Sequence, residues 1–425
     1  MRGTSARSYE DGSGSLKSRK LGVAWVLCGL ALLVSTLLPS AGVFASSGEK
    51  GAHSSSSDSS DNGNASTRTP RTVPYWSSSF KDPTNGVTYP FTMVGSDPSL
   101  GRSTTVDTRI IPLRFTFVAG AQNVSVLNLS PSMSLPAGYI ATAQNATMNG
   151  ADNVADTVAS PIFTPTDFPI SNDARVQFGD AFARAQFGKV GTGYHVILGR
   201  PRVAKTVTIH VPESLGVAVL SPGNVMVGRV DSTWFKDQLA ALIDDMNLKP
   251  TTLPIFLTNN VVLYSGDYLH LSLGGHGAGS PASNAPISLA GKEKIRTFVF
   301  AAYLTPNGLS RNPAISDIQA LSHEIAEWID NPFGINLVQP YQIPTPPGGC
   351  SAALETGDPL VGVAVPVPRN PSAAAGLWWH PQDELFLNWF ARDGEDPGLA
   401  PHPLQYTFGA YAAFGHIAEA CLAAP

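Results

Sequence analysis

The fold is decided by residues 315–332, which read Ile-Ser-Asp-Ile-Gln-Ala-Leu-Ser-His-Glu-Ile-Ala-Glu-Trp-Ile-Asp-Asn-Pro. The pattern predicts one helix over residues 316–330, because Ser316 and Gln319 have the spacing of a capping box and Pro332 cannot continue a helix. At about 100° per residue, several apolar side chains share one face of this helix: Ile318, Leu321, Ile325, Trp328 and Ile329. The predicted helix therefore buries one side in a core.

The opposite face of the predicted helix carries His323, Glu327 and Asp330, with Glu324 at its flank. The order His323-Glu324-x-x-Glu327 resembles His-Glu-x-x-His, in which both histidines bind zinc and the glutamate is the general base. Carboxylate oxygen is a harder but legitimate zinc ligand. The pattern therefore predicts metal ligands at His323 and Glu327 and a catalytic Glu324. Glutamate is scarce, with 10 in 425 residues, which favours this hypothesis over a solvated helix face.

A third metal ligand has to come from elsewhere in the chain. The first candidate is Glu355, in the sequence Leu-Glu-Thr-Gly-Asp-Pro, and the alternative is His380, in Trp-Trp-His-Pro. Asp330 is interpreted as part of the helix stop, and Asp358 as a turn residue before a proline. His276 lies between glycines, where a backbone can approach a ligand closely. It is interpreted as a plain loop histidine, and a role as a substrate-side donor or an extra metal ligand stays open.

Composition limits the class of protein. Only 14% of the residues are charged, and Gly 40 and Pro 35 are high counts, which is typical of a β- and loop-rich secreted protein. The net charge of -5 gives no reason to expect nucleic acid as a partner. Residues 1–45 place basic residues before an apolar run of 18 residues, 21–38, and predict a signal peptide or an N-terminal membrane anchor. Beyond them, Cys350 and Cys421 predict one disulfide.

The rest of the chain divides by composition. Residues 46–73 are Ser-rich and predict a disordered linker. Residues 74–230 alternate β-branched and aromatic runs with turn residues, which predicts a β-rich region. Residues 231–425 combine helical and strand patterns and contain the key helix. Within them, residues 274–281 are glycine-rich and predict a flexible stretch, and residues 296–304 predict a buried strand that leads into the helix.

Residues 322–327, the Asp-Asn-Pro at 330–332 and the Glu-Thr-Gly-Asp at 355–358 together resemble a group of extracellular zincin-like proteins. These proteins share His-Glu-x-x-Glu followed by (Asp/Asn)-Pro and a later Glu-x-(Gly/Ala)-Asp, and the plant phosphate-induced, EXORDIUM-type cell-wall proteins have a similar stretch. Residues 259–390 also resemble exported bacterial proteins with the same helix and a later His-x-Gln-(Asp/Glu)-Leu segment, here residues 380–385. The resemblance covers roughly a third of the chain.

The resemblance implies an α+β fold of the zincin type over residues 231–425, with a mixed sheet and an active-site helix. It implies that His323, Glu327 and Glu355 bind zinc or another divalent metal and that Glu324 is the general base. The expected function is an extracytoplasmic metal-dependent hydrolase, a zinc peptidase with a peptide or protein substrate. The alternative is a non-catalytic cell-surface or wall-associated binding protein, because Glu327 replaces the usual histidine.

Overall fold

The computed structural model describes residues 72–118, 140–141, 145–168, 175–265, 267–278, 295–343, 349–369, 377–392, 406–409 and 421. The predicted signal peptide or anchor and nearly all of the predicted linker lie outside these residues. In the part of the chain that is described, no helix is long and apolar enough to cross a membrane.

The chain is an α+β protein with mixed sheets and a β-rich N-terminal part, which confirms the predicted fold class. Its strands are β1 Tyr75–Lys81, β2 Thr88–Val94, β3 Ser103–Phe117, β4 Ile140–Ala141, β5 Ala146–Asn149, β6 His195–Leu198, β7 Arg202–Val203, β8 Val207–Val211, β9 Gly216–Leu220, β10 Met226–Asp231, β11 Thr252–Asn259, β12 Val261–Ser265, β13 Asp267–Ser272, β14 Gly274–Ala278, β15 Thr297–Tyr303, β16 Leu337–Ile343, β17 Gly349–Ala353, β18 Val367–Pro368 and β19 Trp378–Trp379. Its helices are α1 Val154–Ala159, α2 Phe178–Gln186, α3 Ser232–Asp245, α4 Gln319–Asp330 and α5 Leu387–Ala391.

The central sheet has the order β14-β15-β11-β3-β5. Its middle strands β15, β11 and β3 are parallel, and β14 and β5 are antiparallel to their neighbours. Three short strands, β6, β7 and β8, pair one after another along β3. Strands β11 and β15 are buried along nearly their whole length, as parallel strands covered on both faces require. Because β3 belongs to the predicted β-rich region and β11 and β15 come after residue 230, the two regions share one sheet.

The two faces of the central sheet belong to two hydrophobic cores. On one face, Phe256 and Phe300 pack in a core with Phe235 of α3. On the other face, the adjacent Ile255 and Val299 belong to the core that contains α4. The alternation follows the two-residue period of a strand. The second sheet, of order β13-β12-β10-β9-β4, is antiparallel except for the parallel pair β10 and β12.

Helix α4 packs against β14 and β15 and also contacts α2. The apolar face predicted from the sequence is buried: Ile318, Leu321, Ile325, Trp328 and Ile329. Gly179 of α2 allows the close approach of the two helices, since a Cβ at this position would lie 3.0 Å from Ile329 Cδ1. The helix is therefore held between a strand pair and a second helix.

The start of α4 differs from the prediction. The helix begins at Gln319, three residues after the predicted cap at Ser316, and ends at Asp330 as predicted. Asp317 has φ 43, in the left-handed region, and its backbone pairs with Leu304 at the end of β15. The Ser316 hydroxyl donates to the carbonyl of Pro313 instead of capping the helix. Residues 316–318 are therefore not the first turn of the helix, because Asp317 pairs with Leu304 next to β15.

The first five residues of the stretch predicted to be flexible, Gly274–Ala278, form strand β14, and residues 279–281 lie outside the described residues. The glycines of β14 permit close packing rather than motion. A Cβ at Gly274 would lie 2.5 Å from Glu324 Cγ, and a Cβ at Gly275 would lie 2.8 Å from the Phe300 ring. His276, two residues after Gly274, points to the same side of the sheet by strand alternation and is buried against α4.

The predicted disulfide is present between Cys350 and Cys421. Cys350 lies in β17, which pairs with β16 as a hairpin after α4. The bridge joins this hairpin to residue 421, close to the end of the chain. The hairpin leads directly into the residues around Glu355, so the bridge lies next to the segment that returns to α4.

Candidate metal centre

The polar residues of α4 are buried. His323 is 4% exposed, Glu324 is 1% exposed and Glu327 is 0% exposed. This burial excludes the alternative of a solvated helix face. The helix is covered by β14 on one side and by the segments around residues 355–358 and 380–385 on the other. Burying an ionised group is costly unless it is paired or coordinates a metal, so these side chains require an explanation beyond packing.

The segment after β17 returns to α4 and brings two more carboxyl groups to it. The backbone of Leu354 donates to the carbonyl of Asn336, and the N–H of Gly357 donates to Glu327 Oε1 at 3.2 Å. Gly357 has to be glycine, because a Cβ would lie 2.2 Å from His323 Nδ1. This close approach places Glu355 and Asp358 against the helix.

The first candidate ligand set is the His323 triad, defined as His323, Glu327 and Asp358. His323 Nε2 lies 3.1 Å from Glu327 Oε2 and 3.8 Å from Asp358 Oδ1. One ligand atom from each residue lies within 4.8 Å of the other two. The donor set of one imidazole nitrogen and two carboxylate oxygens suits zinc and the other divalent first-row metals.

The second candidate ligand set is the His276 triad, defined as His276, Glu324 and Glu327. His276 Nδ1 lies 3.2 Å from Glu324 Oε2 and 3.7 Å from Glu327 Oε2. The ligand atoms of this triad also lie within 4.8 Å of one another. Glu327 belongs to both triads, so the two ligand sets meet at one carboxyl group.

Unpartnered atoms converge at the His323 triad. His323 Nε2, Glu327 Oε2 and Asp358 Oδ1 are all buried and have no hydrogen-bond partner among the described residues. A buried polar atom without a partner costs about 1–3 kcal/mol. The two carboxyl oxygens can offer lone pairs to a metal ion, and His323 Nε2 can do so when the ring proton is on Nδ1. The residues present therefore fit a divalent cation.

Hydrogen bonds fix the orientation of both histidine rings. His276 Nε2 donates to the carbonyl of Asn331 at 3.1 Å, which leaves the lone pair on Nδ1, the atom that faces the glutamates. The Gln382 amide donates to Gly357 O at 2.6 Å and to His323 Nδ1 at 2.9 Å. The orientation of this amide is assigned from its partners. With Nδ1 as the acceptor, a neutral His323 ring carries its proton on Nε2, so a metal ion at Nε2 would require the proton to be on Nδ1 and a change in the contacts of Gln382.

Burial shifts the ionisation of the cluster toward neutral groups. It raises the pKa of Glu324 to about 8 and the pKa of Asp358 to about 7, although His323 opposes both shifts. Burial and the neighbouring Asp358 raise the pKa of Glu327 well above its ordinary value. Burial lowers the pKa of His276. The cluster therefore retains carboxyl protons near neutral pH, and a metal ion bound to these carboxyl groups would compete with the protons.

The structure brings Glu355 to the cluster but not into either triad. Glu355 Oε1 accepts a hydrogen bond from Asn331 at 3.0 Å, and Oε2 lies 3.8 Å from His276 Nε2. Oε2 is buried and unpartnered among the described residues. In the His323 triad the third position predicted for Glu355 is taken by Asp358. Glu355 borders both ligand sets.

His380, the alternative third ligand, lies outside both triads. Its Nδ1 lies 2.8 Å from Asp317 Oδ2 and 3.1 Å from the Ser316 hydroxyl. It therefore belongs to the polar contacts that hold the residues before α4. Asp330 is also separate from the cluster, because its Oδ1 accepts a hydrogen bond from Gln186 of α2 at 2.7 Å. Its position at the helix end agrees with the interpretation as a stop residue.

Three further residues lie at the centre. The sequence pattern predicts Asp358 only as a turn residue, although the Glu-x-Gly-Asp pattern contains it. The glycines around His276 indicate either flexibility or close backbone packing, and the structure shows close packing in β14. Gln382 lies in the His-x-Gln segment of the resemblance, which predicts no role for it. These patterns do not specify the direction of a side chain.

Comparison of the chain with protein-family models, curated proteins and solved structures gives no match. The resemblance to zincin-like proteins therefore remains a prediction from the motifs, and the functional argument has to start from the geometry of the buried cluster.

Proposed function

We propose that this protein is a metal-dependent hydrolase that acts outside the cytoplasm and cleaves peptide bonds. One observation carries the proposal: the unpartnered ligand atoms of His323, Glu327 and Asp358 converge in a buried site. A divalent cation in this triad would supply a Lewis acid that polarises a scissile carbonyl.

The chain supplies a proton acceptor beside the triad. Glu324 Oε1 lies 4.0 Å from His323 Nε2, while its other oxygen faces His276. Glu324 therefore presents one oxygen to the His323 triad and is held by the second. We assign to it the role of general base, which takes a proton from the attacking water and delivers it to the leaving amine. Such proton transfer typically contributes about 10²–10⁴ in rate.

Two sequence features support an extracytoplasmic location. Residues 1–45 have the pattern of an export segment, and the chain contains the disulfide Cys350–Cys421. Disulfides persist mainly in oxidising compartments. The proposed peptide substrate follows from the likeness of His323-Glu324-x-x-Glu327 to the metallopeptidase signature.

The test combines metal analysis with hydrolysis of a broad peptide library by the purified protein. We expect at least one divalent cation per chain and peptide cleavage. Glu324→Gln should retain the cation and lower the cleavage rate at least about 100-fold, and Asp358→Asn should lower the metal content. The exposed Glu213→Gln is the matched control and should change neither quantity. A protein without bound metal, or with full activity in Glu324→Gln, contradicts the proposal.

The burial of the ligands favours a second candidate, a binding protein that uses the metal to hold its structure. His323 has the most exposed side chain of its triad, at 6%, and closed sites are typical of structural metals. This candidate predicts metal binding without turnover of any peptide. Cleavage that is lost in Glu324→Gln with the metal retained excludes it.

A further inference from the structure

We propose that the buried cluster holds a second divalent cation, in the His276 triad, so that Glu327 bridges two cations. The proposal rests on the proposed function in one respect, because it takes the His323 triad as the first site. The ligands of the second site are His276 Nδ1, Glu324 Oε2 and Glu327. It is a dinuclear centre in which β14 contributes the ligand that the helix lacks.

The distances in the His276 triad have the scale of a coordination shell. Ligand bonds of about 2.0–2.2 Å place neighbouring donor atoms about 3–3.5 Å apart around one ion. His276 Nδ1 lies 3.2 Å from Glu324 Oε2 and 3.7 Å from Glu327 Oε2. The three residues therefore need only small side-chain adjustments to surround a cation.

The tautomer of His276 is set for metal ligation. Nε2 donates to the backbone carbonyl of Asn331, and a ligating histidine usually donates its other ring nitrogen to such an acceptor. The hydrogen bond leaves the Nδ1 lone pair directed at the glutamates. His276 is 2% exposed, so solvent does not provide an alternative partner for this nitrogen.

Strand β14 is built to bring His276 to the helix. Gly274 lies against the Glu324 side chain, where a Cβ would come within 2.5 Å of the carboxyl atom Oε1. His276 follows on the same side of the strand. The glycine allows the backbone of β14 to approach α4, and this approach is what places the imidazole between Glu324 and Glu327.

The contacts of Glu327 also join the two ligand sets. Within the described part of the chain, the ion pairs of Glu324, Glu327, Glu355 and Asp358 are to His276 and His323. Glu327 Oε2 lies 3.1 Å from His323 Nε2 and 3.7 Å from His276 Nδ1. One carboxyl oxygen therefore lies between the two histidines, where it could bind a cation of either triad.

In this arrangement the two oxygens of Glu324 face different metal sites. Oε2 faces His276 and the second cation, and Oε1 faces the His323 triad. The second cation would therefore hold the general base in position without occupying the oxygen that accepts the proton. The competing interpretation is a hydrogen-bonded pair in which Glu324 donates a proton to His276 and no second cation binds.

The test measures metal stoichiometry on the full protein loaded with Mn²⁺. We expect two Mn²⁺ per chain in the wild type, one in His276→Gln and two in His210→Gln, a matched control at an exposed histidine. One Mn²⁺ in the wild type that is unchanged in His276→Gln overturns the second site and leaves the proposed function intact. No Mn²⁺ in the wild type overturns both. One Mn²⁺ that is lost in His276→Gln but kept in Asp358→Asn overturns the dinuclear centre and moves the single site to the His276 triad.

Electron paramagnetic resonance of the Mn²⁺-loaded wild type gives an answer even if a variant fails to fold. Two ions that share Glu327 should show spin coupling, with a signal that differs from that of isolated Mn²⁺. A spectrum of uncoupled Mn²⁺ alone, at saturating metal, overturns the bridged arrangement.

Discussion

Asp330 provides a prediction whose magnitude follows from its burial. Its side chain lies at the end of α4 and accepts one hydrogen bond from Gln186, while Oδ2 has no partner among the described residues. Burial raises the pKa of Asp330 from 3.8 to about 8, against the opposing effect of the Gln186 hydrogen bond. The folded protein therefore retains this proton up to about pH 8, whereas the unfolded chain releases it above about pH 4.

The sign of the pH dependence follows from proton binding. Between these two pKa values the folded state binds more protons at Asp330 than the unfolded state, so this residue lowers the free energy of unfolding as pH rises. The slope is about 1.4 kcal/mol per pH unit, or roughly 4 kcal/mol between pH 5 and pH 8. Asp330→Asn removes the titration. The free energy of unfolding of the variant relative to wild type should therefore rise by roughly 4 kcal/mol over this range.

Denaturant unfolding followed by tryptophan fluorescence at pH 5, 6.5 and 8 measures this difference. The comparison of variant with wild type removes the contribution of the other buried carboxyl groups, because both proteins contain them. Asp245→Asn, at an exposed site at the end of α3, is the matched control and should show a difference that does not depend on pH. A difference for Asp330→Asn that is constant across the three pH values refutes the reasoning, because it means that the folded state does not hold the proton.

Three further changes test the contacts of the centre. Gln382→Leu removes the hydrogen bond to His323 Nδ1 and should weaken metal affinity about 10–100-fold, measured by competition with a chelator; unchanged affinity contradicts the role of the amide. Gly357→Ala places a Cβ 2.2 Å from His323 Nδ1 and should lower the metal content. It should also lower the free energy of unfolding by about 1–3 kcal/mol. A variant that unfolds and binds metal like wild type would falsify this packing argument. His380→Ala should leave the metal content unchanged, since His380 pairs with Asp317 outside both triads; loss of the metal would return His380 to the ligand set.

The sequence predicted the type of the key element but not its first turn. The apolar stripe and the polar face of residues 315–332 depend only on the period of a helix, which is local information. Ser316 has the composition of a cap, yet Asp317 pairs with Leu304 and adopts a left-handed conformation. That pairing joins residues far apart in the chain, so no local pattern contains it.

The identity of the third ligand also depends on packing that the sequence does not specify. Glu355 and Asp358 lie three residues apart in one turn, and both are buried at the cluster. Which of them joins His323 depends on the path of the turn around Gly357, whose N–H bonds Glu327. Residue type and spacing predicted that this turn supplies a carboxylate, and only the packing of the turn decides which one.

The position of His276 in the cluster could not be predicted from the sequence, because glycines beside a residue occur in two different structural settings. Glycine is frequent in flexible stretches and also where a backbone must approach another group closely. Here the glycines permit a close backbone approach, since β14 packs against Glu324 and Phe300. Only the packing of β14 against α4 distinguishes a closely packed glycine stretch from a flexible one.

The most direct test of the metal centre is an anomalous difference map from crystals of the protein grown with Zn²⁺ or Mn²⁺. We expect a peak about 2.0–2.2 Å from His323 Nε2, Glu327 Oε2 and Asp358 Oδ1. If crystals grown with the metal show no anomalous peak at these atoms, or a peak only elsewhere in the molecule, His323, Glu327 and Asp358 do not form a metal site.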